Sequence, residues 1–200
     1  IFLISIIFLI NHLCLGLDLS KTNKFFVKDK SNFGLGTCRA PLGIQSGLIP
    51  DSAFEASSSL DVSLGPHTAR IRSAIEGGGW CPKTLINSQS EEYLQINFSN
   101  LTVITLIETQ GRHGPFQVIN RFEIETKEDL VFDFVEDYVD YYRLEYRRDP
   151  THPWIKYRDF RKKEVFYGNS NNNIAEIREI AQPIIAKQIR IYPTQSNDKQ

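Results

Sequence analysis

The chain has 200 residues and a formal net charge of −1 at pH 7, and 41% of its residues are hydrophobic and 24% charged. That length holds one ordinary domain with appendages, and this composition excludes disorder over most of the chain. The near-neutral charge gives no broad attraction to polyanions. We therefore expect no nucleic-acid partner and no peripheral binding to anionic lipid.

The first residues resemble a secretory signal. An apolar run over residues 1–10 is followed by the small residue Gly16, and the chain contains no Met. The run is too short to span a bilayer, which needs about 20 apolar residues. We therefore expect a signal peptide at 1–16 whose start is incomplete, and a polar linker at 17–37. The mature protein is expected to be secreted or to lie on the extracellular side of the plasma membrane.

Secretion changes the interpretation of the cysteines, because Cys14 leaves with the signal. Cys38 and Cys81 then remain for an oxidising compartment, where thiols form disulfides. The residues alone leave two alternatives open. Either the two cysteines pair with each other, or each has lost its partner.

Two sequons are consistent with the same compartment. Asn97 and Asn100 each begin an Asn-x-Ser/Thr triplet, and both are predicted N-glycosylation sites. Leu94, Ile96 and Phe98 alternate toward the interior of a predicted strand, which leaves Asn97 on the solvent face. Asn100 falls in the turn that follows, so the alternation favours Asn97 as the better acceptor.

From Cys38 onward, short segments rich in β-branched and aromatic residues alternate with clusters of Gly, Pro, Asn and Asp. No window holds a long apolar stripe of helical period. The pattern predicts an all-β sandwich or jelly roll. The predicted strands are 93–98, 103–107, 141–146, 154–160, 164–167 and 184–191.

A search for chemistry finds no catalytic pattern. His67, His113 and His152 have no Cys or carboxylate at metal-ligand spacing, so we expect no metal site. A Gly-x-Ser-x-Gly elbow is missing as well. The run of serines at 57–59 is expected to form hydrogen bonds in a turn or at a strand end. We therefore predict a binding domain without enzymatic activity.

An acidic stretch from Lys127 to Asp140 holds six carboxylates interleaved with apolar residues. Their spacing lacks the regularity of a dedicated calcium loop, so no cofactor is expected and calcium is kept as the alternative. The simpler interpretation is a solvated insertion whose charges prevent its apolar residues from pairing with other chains.

Short motifs in a fixed order carry a family resemblance. They are Cys38-Arg-Ala-Pro41, Ala56-Ser-Ser-Ser59, Ala69-Arg70-Ile71, Gly79-Trp80-Cys81-Pro82, Glu92-Tyr-Leu-Gln-Ile96 and Thr109-Gln-Gly111-Arg112-His113. In this order they resemble the discoidin domain, also called the coagulation factor V/VIII type C domain. The last motif, with Trp154 and Gly168-Asn-Ser-Asn171, looks most like the version in discoidin domain receptor tyrosine kinases, which bind collagen.

The resemblance implies an eight-stranded jelly-roll β-sandwich over residues 38–193. An insertion is expected near 117–135, and 194–200 would be a polar stub at a truncated end, so that the last strand is missing. In the receptor branch, the cysteines that pair with the equivalents of Cys38 and Cys81 lie in that strand. Both cysteines would then have their partners beyond the end of the chain.

The resemblance also implies a ligand site in the loops at one end of the sandwich. Arg112 takes the place of an arginine of the receptor branch, and the acidic partner falls near Asp137. Leu60 stands where the collagen-binding receptors have a tryptophan, and Gly77 stands where they have an aspartate. Leucine keeps apolar contact but loses the stacking geometry of a ring, so binding is expected to be altered.

Two functions from different classes follow. The first is a fragment of a collagen-binding receptor tyrosine kinase, whose membrane-anchored parent forms a dimer and signals on binding collagen or another matrix protein. The second is a secreted adhesion or lectin-like module that binds glycan, lipid or protein through the same loops. A transmembrane segment and a kinase encoded downstream of Gln200 would distinguish the first from the second.

Overall fold

The computed structural model describes residues 40–73, 78–112 and 138–195. Several predicted features lie outside these residues and stay predictions. They are the signal at 1–16, the linker at 17–37, Cys38, Gly77, the insertion near 117–135 and Asp137.

The described residues form six antiparallel strands joined by loops and short 3-10 turns, so the predicted all-β class is confirmed. The sheet order is β1-β2-β6-β3-β4, and β5 also pairs with β3. The strands are β1 (Phe54–Ala56), β2 (Leu94–Thr109), β3 (Tyr141–Arg147), β4 (Ile155–Lys156), β5 (Val165–Tyr167) and β6 (Glu176–Thr194), and the 3-10 turns are Asp51–Ala53, Val62–Leu64 and Pro66–Thr68.

The longest strands bend as a pair. The sequence predicts separate strands at 93–98 and 103–107, but both belong to β2, which pairs with β6 on each side of the break. The register shifts between Asn97 and Thr102 and again between Ile104 and Leu106. Extra residues on one strand of a pair bend it and raise its twist. One long strand pair therefore changes direction twice.

Apolar and polar side chains lie on opposite faces of the sheet where β2, β6 and β3 pair. One face is apolar and buried, with Leu94, Ile191 and Leu144 side by side in one row. The next row, on the opposite face, pairs Gln95 with Arg190 and Arg190 with Glu145. Because successive side chains of a strand point to opposite faces, the apolar row packs into the core and the polar row lies on the other face. Gln95 in that polar row is itself 2% exposed and is hydrogen-bonded to Glu55 and Arg190.

The largest fully buried side chain is Trp80, which is 0% exposed. Its indole N–H donates to the carbonyl oxygen of Ser58 at 2.8 Å, so its polar atom is satisfied as buried tryptophans require. The expectation that Trp80 is a core residue is confirmed. Cys81 beside it is 1% exposed and packs against Leu64, while the pairing of Cys81 with a second cysteine stays a prediction.

Candidate ligand-binding site

Leu60 lies in a loop after β1 that is pinned to the segment around Trp80. Its backbone N–H donates to the carbonyl oxygen of Cys81 at 2.9 Å. The neighbouring Ser58 accepts the indole N–H of Trp80. The Leu60 side chain is 37% exposed. An apolar side chain is therefore presented to solvent from a backbone that the core holds in place.

The serines before Leu60 are fastened by one carboxylate. The hydroxyl of Ser58 donates to Glu92 Oε2 at 2.8 Å, and the hydroxyl of Ser57 donates to the same oxygen. Partial burial raises the pKa of Glu92, but hydrogen bonds from Ser57, Ser58 and Thr84 outweigh it, so the pKa is lowered overall. The expected hydrogen-bonding role of these serines is confirmed.

Residues 61–63 extend the exposed loop. Asp61 Oδ1 accepts hydrogen bonds from the backbone N–H and the hydroxyl of Ser63, both at 2.8 Å, and these bonds lower the pKa of Asp61. Val62 is 84% exposed. Leu60 and Val62 thus offer two aliphatic side chains on either side of an ionised acid.

Arg70, from the motif Ala69-Arg70-Ile71, has a structural role. Its Nη2 donates to the carbonyl oxygen of Ile49 at 2.9 Å, and its Nε donates to Asp51 Oδ1 at 3.2 Å. The guanidinium also lies 4.7 Å from the centre of the Phe54 ring. This arginine therefore ties the chain just before Arg72 to the segment at 49–54.

Arg72 joins that path to the end of β2. Its Nη2 donates to Glu108 Oε1 at 2.6 Å, and its backbone N–H donates to Gln110 Oε1 at 3.0 Å. The Glu108 side chain is 1% exposed, and burying a carboxylate costs much less when it is paired. The Gln110 amide in turn donates to the carbonyl oxygen of Asn173 at 2.9 Å.

The asparagine-rich loop closes around the same segment. Asn169, which is 2% exposed, donates from Nδ2 to the carbonyl oxygens of Thr109 and Ile174, both at 3.0 Å. Asn171 Oδ1 accepts the backbone N–H of Ile174 at 2.8 Å. The sequence marked this loop as a turn but did not show that it holds Thr109.

Hydrogen bonds join residues 70–73, 108–112 and 169–174 to one another, and the chain leads into them from the exposed loop at 57–65. We call these four segments the loop cluster. Arg112 lies directly after the anchored Gln110 segment and is only 6% exposed. The chain runs from the loop of Leu60 to Arg72, whose contacts with Glu108 and Gln110 lie close to Arg112 in the chain. That Leu60 and Arg112 face one ligand stays a prediction. Asp137 lies outside the described residues.

Sequence reasoning missed Arg72 and Glu108, and it gave no role to Gln110 and Asn169, which stand in the family motifs. Glu108 gave one usable signal, because it is an acid that directly follows the largely apolar run at 103–107. A buried acid in such a place needs a cationic partner, but the sequence does not tell which arginine supplies it.

The two sequons occupy different surroundings. Asn97 lies in β2, where its Nδ2 donates to Glu55 Oε1 at 2.7 Å and its Oδ1 accepts the Gln95 amide at 2.8 Å. Asn100 is exposed and lies within the break in the β2–β6 register. The alternation pattern favoured Asn97 as acceptor, whereas these contacts favour Asn100.

We expect a glycan on Asn100 and none on Asn97 when the chain is expressed in secretory cells behind a signal peptide. A glycan on Asn97 would remove an amide N–H from a hydrogen-bonded network on the sheet face. Asn100→Gln should abolish the glycan mass found by peptide mapping, while Asn97→Gln should leave it. Glycan on Asn97 of the wild-type chain would contradict this expectation.

Two further properties concern the described residues alone. Within 40–73, 78–112 and 138–195, no group of three or more His, Cys, Asp or Glu side chains is placed to hold a metal ion. In the same ranges no helix is long and apolar enough to cross a membrane. The acidic stretch considered for calcium lies mostly outside them.

Comparison with known proteins identifies the domain. Residues 117–200 match the family model described as F5/8 type C domain. Discoidin domain-containing receptor A of Caenorhabditis elegans is 35% identical over 159 residues, which is 79% of this chain and 18% of that protein. Discoidin domain-containing receptor tyrosine kinase B of the same organism is 34% identical over 166 residues, which is 82% of this chain and 19% of that protein. The chain thus spans less than a fifth of these relatives.

Among solved structures, wild-type discoidin II from Dictyostelium discoideum aligns with a TM-score of 0.49 and 18% identity, covering 72% of this chain and 49% of that one. The family match and the receptor relatives confirm the resemblance seen in the motifs. The chain therefore carries a domain of the F5/8 type C, or discoidin, family.

Proposed function

We propose that this chain is the extracellular ligand-binding domain of a receptor tyrosine kinase and that it binds triple-helical collagen through the loop cluster. A receptor tyrosine kinase whose sequence is 34% identical over 82% of this chain supports the receptor assignment. The domain itself performs no catalysis. In a longer, membrane-anchored and dimeric parent, it would couple matrix binding outside the cell to a kinase inside.

The observation that carries the proposal is the anchoring of the Thr109–Arg112 segment. Arg72 pairs with the buried Glu108, and Asn169 and Gln110 tie the same segment to the asparagine-rich loop. A segment held by an ion pair to a buried carboxylate and by several hydrogen bonds loses little conformational entropy when a ligand binds. The loop cluster is therefore preorganised.

The chemistry of the cluster matches a collagen triple helix. Collagen exposes apolar side chains and backbone carbonyl groups and is built from tightly wound extended chains. Leu60 and Val62 supply exposed aliphatic surface, and the guanidinium of Arg112 supplies donors for carbonyl oxygens. Asp137, which the resemblance places near this site, would pair with Arg112.

A second candidate is a secreted adhesion or lectin-like module that binds glycan, lipid or another protein. Leu60, where the resemblance expects a tryptophan, favours it, because an aliphatic anchor buries less area than an aromatic one. Under this alternative the loop cluster keeps its binding role but has a different ligand.

The deciding experiment uses the whole extracellular region of the parent protein, read from the sequence downstream of Gln200. We expect it to bind immobilised triple-helical collagen and not heat-denatured collagen, because the cluster recognises the assembled helix. A folded protein that ignores collagen but binds glycans or phospholipid vesicles would replace the receptor proposal with the second candidate.

A further inference from the structure

A concave surface elsewhere on the domain shares no lining residue with the loop cluster. It is a cleft of about 710 Å³, lined by Tyr141 and Arg143 of β3, by Lys162 and Lys163 of the turn between β4 and β5, and by Glu91 and Thr194. This volume lies in the range of about 300–1,000 Å³ in which proteins hold small ligands or segments of larger ones.

The turn that carries the two lysines is fixed by Asp159. Its Oδ1 accepts the backbone N–H groups of Arg161 and Lys163, both at 2.8 Å. The backbone N–H of Lys162 donates to the carbonyl oxygen of Asp159 at 2.9 Å. Lys162 has a φ of 64°, a left-handed conformation that lysine rarely adopts. Hydrogen bonds to Asp159 therefore fix the backbone of this turn.

Basic side chains outnumber acidic ones in the segment that contains this turn. Residues 158–164 contain four basic and two acidic side chains, although the whole chain has a net charge of −1. Glu164 accepts a hydrogen bond from Arg158 at 2.6 Å. Among the residues that the structure describes, neither Lys162 nor Lys163 has a carboxylate partner. Two unpaired ammonium groups therefore line the cleft.

Arg143 adds a third cation whose orientation is set by its neighbours. Its guanidinium lies 5.0 Å from the centre of the Tyr192 ring. Its Nη2 is 3.2 Å from the carbonyl oxygen of Ser90 and 3.2 Å from Glu91 Oε1. The Glu91 side chain is 74% exposed, so this ion pair is weak and an incoming anion can displace it.

The remaining lining groups indicate what kind of anion fits. Ser88, Thr194 and Gln195 offer hydroxyl and amide groups that suit sugar hydroxyls. Tyr141 offers a ring that Tyr167 holds edge-on at 5.5 Å. Sulfate esters accept hydrogen bonds from guanidinium and ammonium groups. Single-stranded nucleic acid, by contrast, is bound along grooves with successive aromatic platforms.

We propose that this cleft binds a sulfated polysaccharide. Its sulfates contact Arg143, Lys162 and Lys163, and its sugar hydroxyls contact the polar groups at Ser88 and Thr194. The site is independent of collagen binding by the loop cluster. It would hold the domain to the sulfated glycans that surround cells in the matrix.

The test measures binding of a heparin hexasaccharide to the full chain by calorimetry at fixed low salt. Lys162→Asn with Lys163→Gln removes both ammonium groups, and asparagine tolerates the left-handed conformation at position 162. We expect affinity to fall at least tenfold. Lys83→Gln with Arg148→Gln makes the same charge change at exposed sites outside the cleft, and affinity should stay within about twofold.

A third variant and two control ligands test whether recognition depends on sulfate and on the guanidinium. Arg143→Lys keeps the positive charge but loses the planar guanidinium that can donate two parallel hydrogen bonds to a sulfate. Affinity should therefore fall severalfold with an unchanged melting temperature. Fully desulfated heparin and a poly-glutamate peptide should both bind far more weakly. Equal losses in the cleft variant and its charge-matched control, equal binding of poly-glutamate, or no heparin binding by the folded wild-type chain would each overturn the proposal.

Discussion

Replacing Trp80 by alanine is expected to destabilise the domain by about 3–5 kcal/mol, the range for truncating a buried aromatic side chain. Trp80 is 0% exposed in the core beneath the Leu60 loop. The change leaves a large cavity and an unsatisfied carbonyl oxygen on Ser58. Urea unfolding at equilibrium measures the loss, which is large against an ordinary total stability of about 5–15 kcal/mol.

Two variants calibrate this result. Trp80→Phe keeps most of the volume but not the donor, so it should cost about 1–3 kcal/mol, the penalty for a buried acceptor left without a partner. Phe160→Ala removes an aromatic that is 68% exposed, and it should change stability by about 0.5 kcal/mol or less. If Trp80→Ala cost no more than Phe160→Ala while collagen binding fell, Trp80 would be a ligand contact and not a core residue.

Replacing Arg112 by alanine is expected to weaken collagen binding by about 1–3 kcal/mol, which is roughly a 5- to 150-fold loss of affinity. The prediction rests on the proposed contact of its guanidinium with collagen carbonyl oxygens. Arg112 is only 6% exposed, so it also braces the loop. Binding to immobilised collagen must therefore be measured together with circular dichroism and a thermal melt of each variant.

The variants around Arg112 separate the two roles. Arg72→Ala breaks the pair with Glu108 and should lower both the melting temperature and the affinity. Arg148→Ala, at an exposed position outside the loop cluster, should change neither. Leu60→Trp should tighten binding, because a ring buries more area than leucine. A folded Arg112→Ala variant with unchanged affinity would remove Arg112 from the ligand site.

Local patterns predicted the orientation of side chains reliably where a strand has one polar face and one buried apolar face. Alternation placed Leu94 and Ile96 in the core and Asn97 on the opposite face of β2. The same alternation could not show that Asn97 is hydrogen-bonded to Glu55, which comes from another strand more than forty positions away. Face assignment is a local property, whereas access for a glycan depends on neighbours across the sheet.

The sequence by itself determined the class of the fold, the turns and the family, because period-two alternation, Gly and Asn clusters and ordered motifs are all short-range features. It also singled out Leu60 and Arg112. Only the tertiary structure decided that the predicted strands at 93–98 and 103–107 form one bent strand, since β6 pairs across the break. Only folding decided that Arg72 neutralises Glu108 and that Lys162 and Lys163 share a cleft with Arg143. Residues that are 19 to 36 positions apart in the chain meet when the strands pair, and no local pattern specifies that pairing.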